Sequence, residues 1–210
     1  MSKFDELQKA VFEGNIERVE NLVKSLTASG EEPLKIINEG LVTAMDIIGK
    51  KFKEGELFIP EVMMSAKAMN TGLEALRPYL KGEEIKSAGV VVIGTVKGDV
   101  HDIGKNLVSM ILSSAGFEVI DLGVDNSPEK FIDAIKEHNP QIVGMSALLT
   151  TTMPVMKEII DAITDAGLRD KVKIIVGGAP VSSEFAKKIG ADAYGEDAIA
   201  AREICIKLVS

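Results

Sequence analysis

The run GVVVIGTVKGDVHDIG, Gly89 to Gly104, begins as an apolar strand-like segment and ends in a loop carrying Gly98, Asp99, His101 and Gly104. Its Val and Ile residues are nearly continuous rather than alternating, which is the pattern of a parallel strand covered on both faces. Asp99 and His101 lie two residues apart, so on an extended or turning backbone both side chains fall on one side. That spacing suits a metal ligand and its supporting partner: one ring nitrogen faces the metal, while the carboxylate takes the proton of the other and fixes the tautomer. Gly98 and Gly104, lacking a Cβ, allow a bulky ligand to approach the backbone.

Working outward, strand and helix patterns alternate from Ala88 to the end. Candidate strands are Gly89 to Thr95, Glu118 to Leu122, Gln141 to Ser146, Lys173 to Val176 and a short one near Ala193. Helices fit at about Gly104 to Ala115, Pro128 to His138, Met153 to Ala166, Ser183 to Lys188 and Asp197 to Leu208. Such units with right-handed crossovers predict a flavodoxin-like, Rossmann-type doubly wound parallel sheet of strand order 2-1-3-4-5. Residues 1–87 read instead as a four-helix bundle with a linker, and residues 88–210 as the sheet domain. The bundle helices are expected at Ser2 to Gly14, Ile16 to Ser29, Pro33 to Lys53 and Pro60 to Leu80, with a polar linker from Lys81 to Ser87. Asn15 is a plausible N-cap, and both prolines suit a first helical turn.

Two other strand ends carry chemistry: GMSALLTTTM, Gly144 to Met153, and IIVGGAP, Ile174 to Pro180. In the order 2-1-3-4-5 the first, third and fourth strands are neighbours, so all three segments converge on the edge where open α/β sheets bind ligands. The series D-x-H-x-x-G, S-x-L and G-G is supplied by Asp99, His101, Gly104, Ser146, Leu148, Gly177 and Gly178, with 41 residues between Gly104 and Ser146 and 28 between Leu148 and Gly177. It is the signature of cobalamin-binding modules. The chain resembles the methyl-carrying corrinoid proteins of methyltransferase systems, and the cobalamin module of methionine synthase.

The resemblance implies a set of roles. His101 becomes the lower cobalt ligand, and Asp99 and Thr152 form a relay behind it, with Thr at a position where methionine synthase has Ser. Gly98, Val100, Asp102, Ile103, Gly104 and Leu148 contact the corrinoid, Ser146 and Thr150 hydrogen-bond its buried nucleotide tail, and Gly177 and Gly178 leave room for that tail. Replacing either of the two glycines with Val is then expected to exclude the tail while leaving the fold mostly intact. Phe52, Ile59, Val62 and Met63 match the apolar cap over the upper corrin face, where an apolar lid excludes water and oxidants. Tyr194, Asp197 and Ala198 are candidates for the wall of the nucleotide slot. Met45, Met64 and Met69 read as gap-filling core, and His138 as a helix-terminal residue facing exposed carbonyls.

Composition narrows the function classes. The chain has 210 residues, 46% hydrophobic and 27% charged, with a net charge of −8 and no basic cluster, which argues against nucleic acid. No apolar run nears the roughly 20 residues that span a bilayer, and the opening MSKFDELQ lacks a signal region, so the cytoplasm is expected. The single Cys205 excludes an intrachain disulfide framework. The resemblance implies a carrier in one-carbon metabolism that is not active alone, served by a substrate-specific methyltransferase, a second methylcorrinoid-dependent methyltransferase acting on a folate, pterin or thiol, and a reductive activation protein. Two alternatives are a cobalamin-sensing regulatory module and the small subunit of an adenosylcobalamin mutase; the missing basic segment disfavours the first and the helical cap the second.

Overall fold

The computed structural model describes residues 2–79 and 87–209. The chain divides into two compact units, residues 1–86 and 87–210. In the first unit, α1 (Lys3–Phe12) opens with a capping box, in which the Ser2 hydroxyl accepts from the Asp5 amide while the Asp5 carboxylate accepts from the Ser2 amide. The Asn15 side chain caps α2 (Ile16–Ala28) by accepting from the Arg18 amide at 3.0 Å. A single turn, α3 (Pro33–Lys35), leads into a π-helical stretch, Ile36–Val42, and then α4 (Thr43–Lys53). Last comes α5 (Ile59–Leu76), which begins with Pro60 and ends in a 3-10 turn, Arg77–Tyr79. Leu80 and the expected linker from Lys81 lie outside the described residues, apart from Ser87.

Sequence periodicity predicts one unbroken α-helix over residues 33–53, and the structure instead widens its middle into a π segment. There Gly40 lies so close to α1 that a Cβ would stand 2.5 Å from Leu7 Cδ2. Two side chains accept the altered hydrogen bonding: Gln8 donates to the Glu39 carbonyl at 2.6 Å and the Thr43 hydroxyl to the Asn38 carbonyl at 2.9 Å. A second correction concerns Met64, which is 56% exposed on α5 rather than core.

The second unit is a five-stranded parallel sheet, β1 (Val90–Thr95), β2 (Glu118–Asp121), β3 (Ile142–Ser146), β4 (Lys173–Gly177) and β5 (Ala193–Gly195), in the order 2-1-3-4-5. The connecting helices are α6 (Ile103–Ser114), α7 (Pro128–His138), α8 (Met153–Asp165), α9 (Ser183–Ile189) and α10 (Ala198–Val209). Successive strand residues point to opposite faces, and each face has its own core. Val92, Val143, Ile174 and Val176 pack with Phe131, Ile135, Met156, Ile160 and Ile189 on one side, while Val91, Ile142 and Ile175 pack with Leu112, Phe117, Ala201 and Cys205 on the other. This two-sided burial explains the unbroken Val/Ile runs. The register aligns Thr95 with Ser146, Ser146 with Gly177, and Gly177 with Gly195, so four strands end at one level.

Candidate functional site

Just beyond that level, the Asp99 carboxylate is fully buried and surrounded by donors from two loops. Its Oδ1 receives the His101 amide at 3.1 Å and lies 2.7 Å from His101 Nδ1. Its Oδ2 receives the amides of Leu148 at 2.8 Å and Leu149 at 3.2 Å, and the Thr152 hydroxyl at 2.8 Å. Burial pushes the carboxyl pKa upward, but the Leu148 amide, the ring and amide of His101 and the Thr152 hydroxyl outweigh it and hold the group well below the ordinary carboxylate range. Asp99 is therefore ionised at neutral pH. A carboxylate only accepts, so Nδ1 carries the proton and Nε2 of the neutral ring keeps its lone pair. The His101 side chain is 47% exposed, and among the described residues no hydrogen bond occupies Nε2.

Local chain geometry holds this loop in place. The Asp99 amide donates to the Val96 carbonyl at 3.2 Å, closing a turn in which Gly98 takes the third position at φ +82°, as a type II turn requires. The hydroxyl of Thr95, buried at the end of β1, donates to the His101 carbonyl at 2.9 Å. Asp125 and Asn126, in the loop after β2, reach the same loop from the side. The Gly98 amide donates to Asp125 Oδ1 at 2.7 Å, the Asp125 amide to the Asp99 carbonyl at 3.0 Å, and the Asn126 amide to the Thr95 carbonyl at 3.0 Å. Sequence reasoning missed Thr95, Leu149, Asp125 and Asn126. It also missed Lys105, whose buried ammonium joins Asp121 on β2 and Asn106. An Asp-Asn pair signals only a turn.

Other expected site residues fall in varied surroundings. Val100 and Ile103 are 70% and 74% exposed beside His101, and Leu148 is 43% exposed. Asp102 precedes α6, and its carboxylate accepts from the Asn106 side chain at 3.0 Å. A Cβ on Gly104 would meet nothing within 4 Å, so the protein itself leaves open space there. Ser146 ends β3 half-buried, and Thr150 is exposed in the turn before α8. Gly177 and Gly178 need a different reading. A Cβ on Gly178, at φ +127°, would lie 1.9 Å from the Ala147 carbonyl oxygen, and one on Gly177 would lie 3.0 Å from the Gly195 oxygen. Gly178 is thus demanded by the protein's own backbone, while a Cβ on Gly177 would only fit tightly, and a Val at Gly178 would break the fold's local geometry instead of leaving it intact. Tyr194 packs partly buried against the core, Asp197 Oδ1 accepts from the Ala200 amide at 2.7 Å, and Ala198 is buried. In the first unit Ile59 is 48% exposed, Phe52 and Met63 are half-buried, and Val62 is 1% exposed with Ala66 and Met69. Phe58, 71% exposed at the start of α5, is the apolar residue that the sequence reading passed over.

Among the described residues, no three His, Cys, Asp or Glu side chains gather as a metal site. His138 lies 3.9 Å from Glu137 at the end of α7. One open imidazole nitrogen set among exposed apolar side chains fits a metal that arrives inside a planar organic ring, because the ring fills the other coordination positions. An imidazole so oriented, at the carboxyl edge of a doubly wound sheet, defines a Rossmann-type module for a metal-bearing cofactor.

Comparison with known proteins agrees. The B12 binding domain matches residues 89–203, and a second B12 binding domain matches residues 3–77. The chain is 44% identical over 191 residues to trimethylamine corrinoid protein 1 of Methanosarcina acetivorans, covering 90% of this chain and 88% of that one. It is 50% identical over 173 residues to the dimethylamine corrinoid protein of Methanosarcina barkeri, covering 81% of each. Among solved structures, the methanol:cobalamin methyltransferase complex MtaBC of Methanosarcina barkeri matches with a TM-score of 0.87 and 34% identity, over 99% of this chain and 79% of that one. The chain belongs to the B12-binding corrinoid proteins, and its cofactor is cobalamin or a related corrinoid.

Proposed function

We propose that this protein carries a methyl group between a substrate:corrinoid methyltransferase and a second methyltransferase acting on a folate, pterin or thiol. When bound, the corrinoid supplies a cobalt centre able to accept and release that group, and the protein supplies ligation, shielding and proton control. The observation behind this reading is the His101–Asp99–Thr152 arrangement. His101 Nε2 is the cobalt ligand, the Asp99 carboxylate fixes the ring through Nδ1–H, and Thr152 and the amides of Leu148 and Leu149 keep that carboxylate ionised. The buried Asp99 carboxylate, 2.7 Å from Nδ1, would also stabilise the ring as an imidazolium were Nε2 to take up a proton in place of the metal.

Val100, Ile103 and Leu148 give the ring face apolar contacts, and the exposed Ile59 and half-buried Phe52 and Met63 are the cap side chains. Gly98, Asp102, Gly104, Ser146 and Thr150 border the cofactor, and Gly177 and Gly178 keep the strand end narrow beside its tail. Relatives named for trimethylamine and dimethylamine, at 44% and 50% identity, support a methylamine as methyl donor over methanol, whose complex stands at 34%. The partners are accordingly a methylamine methyltransferase, the second methyltransferase and a reductive activation protein, in the cytoplasm. Among the described residues, no helix is long and apolar enough to cross a membrane.

Titration with hydroxocobalamin should give a red protein with one corrinoid per chain. Loaded as cob(II)alamin, the wild type should show paramagnetic-resonance coupling to one imidazole nitrogen, and His101→Gly should lose it. Coupling to a protein imidazole, identified by 15N-histidine labelling, that survives in His101→Gly overturns the ligand assignment.

A further inference from the structure

The loop after β2 is outside every motif that singles out this site, yet it makes hydrogen bonds of 2.7 and 3.0 Å to the loop bearing His101. We propose that Asp125 is a positioning residue for His101, holding the Val96–Asp99 turn in the form that presents the Asp99 carboxylate to the imidazole. The proposal rests on the reading of His101 as the cobalt ligand.

Three observations carry it. The first is the turn itself. A turn of four residues can hold its central peptide in either of two orientations, differing by roughly 180°. Here the central peptide joins Lys97 to Gly98, and its N–H donates to Asp125 Oδ1 at 2.7 Å. Rotation of that peptide breaks this bond, so Asp125 selects the orientation in which Gly98 has φ +82°.

The second is reciprocity. The Asp125 amide donates to the Asp99 carbonyl at 3.0 Å, so a single residue grips the turn at Gly98 with its side chain and at Asp99 with its backbone. Asp99 is the residue whose side chain fixes the ring, and its own main chain is therefore held on the side away from Leu148 and Thr152.

The third is backbone conformation. Asp125 is one of two non-glycine residues with positive φ among the described residues, at φ +54°. A left-handed Asp is uncommon and disfavoured, and it persists where the surroundings dictate it. The next residue secures the position: Asn126 is fully buried, and its side-chain NH2 donates to the Thr95 carbonyl at 2.8 Å and the Gly123 carbonyl at 2.9 Å. Thr95 in turn holds the His101 carbonyl. The Asp125–Asn126 pair thus fixes both ends of the His101 loop.

Two variants separate the hydrogen bond from the backbone strain. Asp125→Gly adopts positive φ freely but removes the acceptor. Asp125→Asn also tolerates positive φ and keeps an acceptor oxygen. In the apoprotein, amide exchange at Gly98 should accelerate in Asp125→Gly and return towards the wild-type rate in Asp125→Asn. In protein loaded with cob(II)alamin, the ratio of imidazole-coupled to uncoupled cobalt should fall about tenfold in Asp125→Gly, the lower end of the cost of losing an outer partner of a ligating His. Asp125→Asn should recover most of it, with similar melting temperatures for both variants. Unchanged coupling in Asp125→Gly overturns the proposal while leaving His101 as ligand. A wild-type spectrum without imidazole coupling overturns both.

Discussion

At Asp99, two donors meet Oδ1 and three meet Oδ2, so the carboxylate behaves as a structural anion before any cofactor arrives. Its pKa lies below the ordinary value of 3.8, so the ionised group contributes stability that is fully present above about pH 4 and fades as pH falls through the lowered value. Denaturant titrations of the apoprotein should therefore show stability falling below pH 4, with a shallower fall in Asp99→Asn. Asp99→Ala should cost about 3 kcal/mol at pH 7, because the amides of Leu148 and Leu149 lose their acceptor. An Asp99→Ala protein as stable as the wild type would show that the donors find water instead. The Asp99 and His101 pair was legible in sequence because two residues of separation bring both side chains to one side. The amides of Leu148 and Leu149 were not, since a backbone N–H carries no residue identity. Asp125 was invisible for a related reason: its partners are the main-chain groups of Gly98 and Asp99, across a gap of 27 residues.

Elements were read well where a strand or helix is decided by its own residues. The first four strands begin and end within a residue of their expected limits, the short fifth one lies at Ala193–Gly195, and α7 spans Pro128–His138 as expected. The π stretch was missed because Ile36, Ile37, Leu41, Met45 and Ile48 mark a buried face whether the turn is tight or wide. Within it, Gly40 lies close to Leu7 on another helix, a contact that periodicity along one segment does not register. The Gly pair shows the reverse case, in which a local motif was found but its physical reason lay in neighbouring strands. At Gly178 a methyl group meets the Ala147 carbonyl and a disfavoured φ together. Gly178→Ala should lower stability by about 3 kcal/mol, seen as a reduced melting temperature of the apoprotein. A thermal transition unmoved by this substitution would show that the loop relaxes around the added methyl group.

At the scale of the molecule, the sheet order was legible because four Val/Ile-rich runs and a short fifth strand, alternating with helical patterns, leave few right-handed parallel arrangements. Helix α10 packs one side against the sheet and buries Cys205 there, whose thiol burial pushes up to about 12. A thiol so high in pKa stays protonated at neutral pH and is a poor nucleophile. Folded protein should thus leave Cys205 unlabelled by a disulfide-exchange reagent at pH 7, and denaturant should expose one thiol per chain. Prompt labelling of native protein would place α10 in a locally opened state.

The strand order also dictates how the chain assembles. Val91 of β1 pairs with Ile142 of β3, while β2 lies on the outer side of β1. During synthesis the first strand emerges with only its edge partner to receive it, and its inner flank stays open until β3 follows. Closing that long loop costs chain entropy before the central pair returns any enthalpy, so the centre of the sheet rests on a pairing between segments distant in sequence. The two loops that share Asp99 leave these same two strands, so the ligand loop is completed only when β1 and β3 have paired.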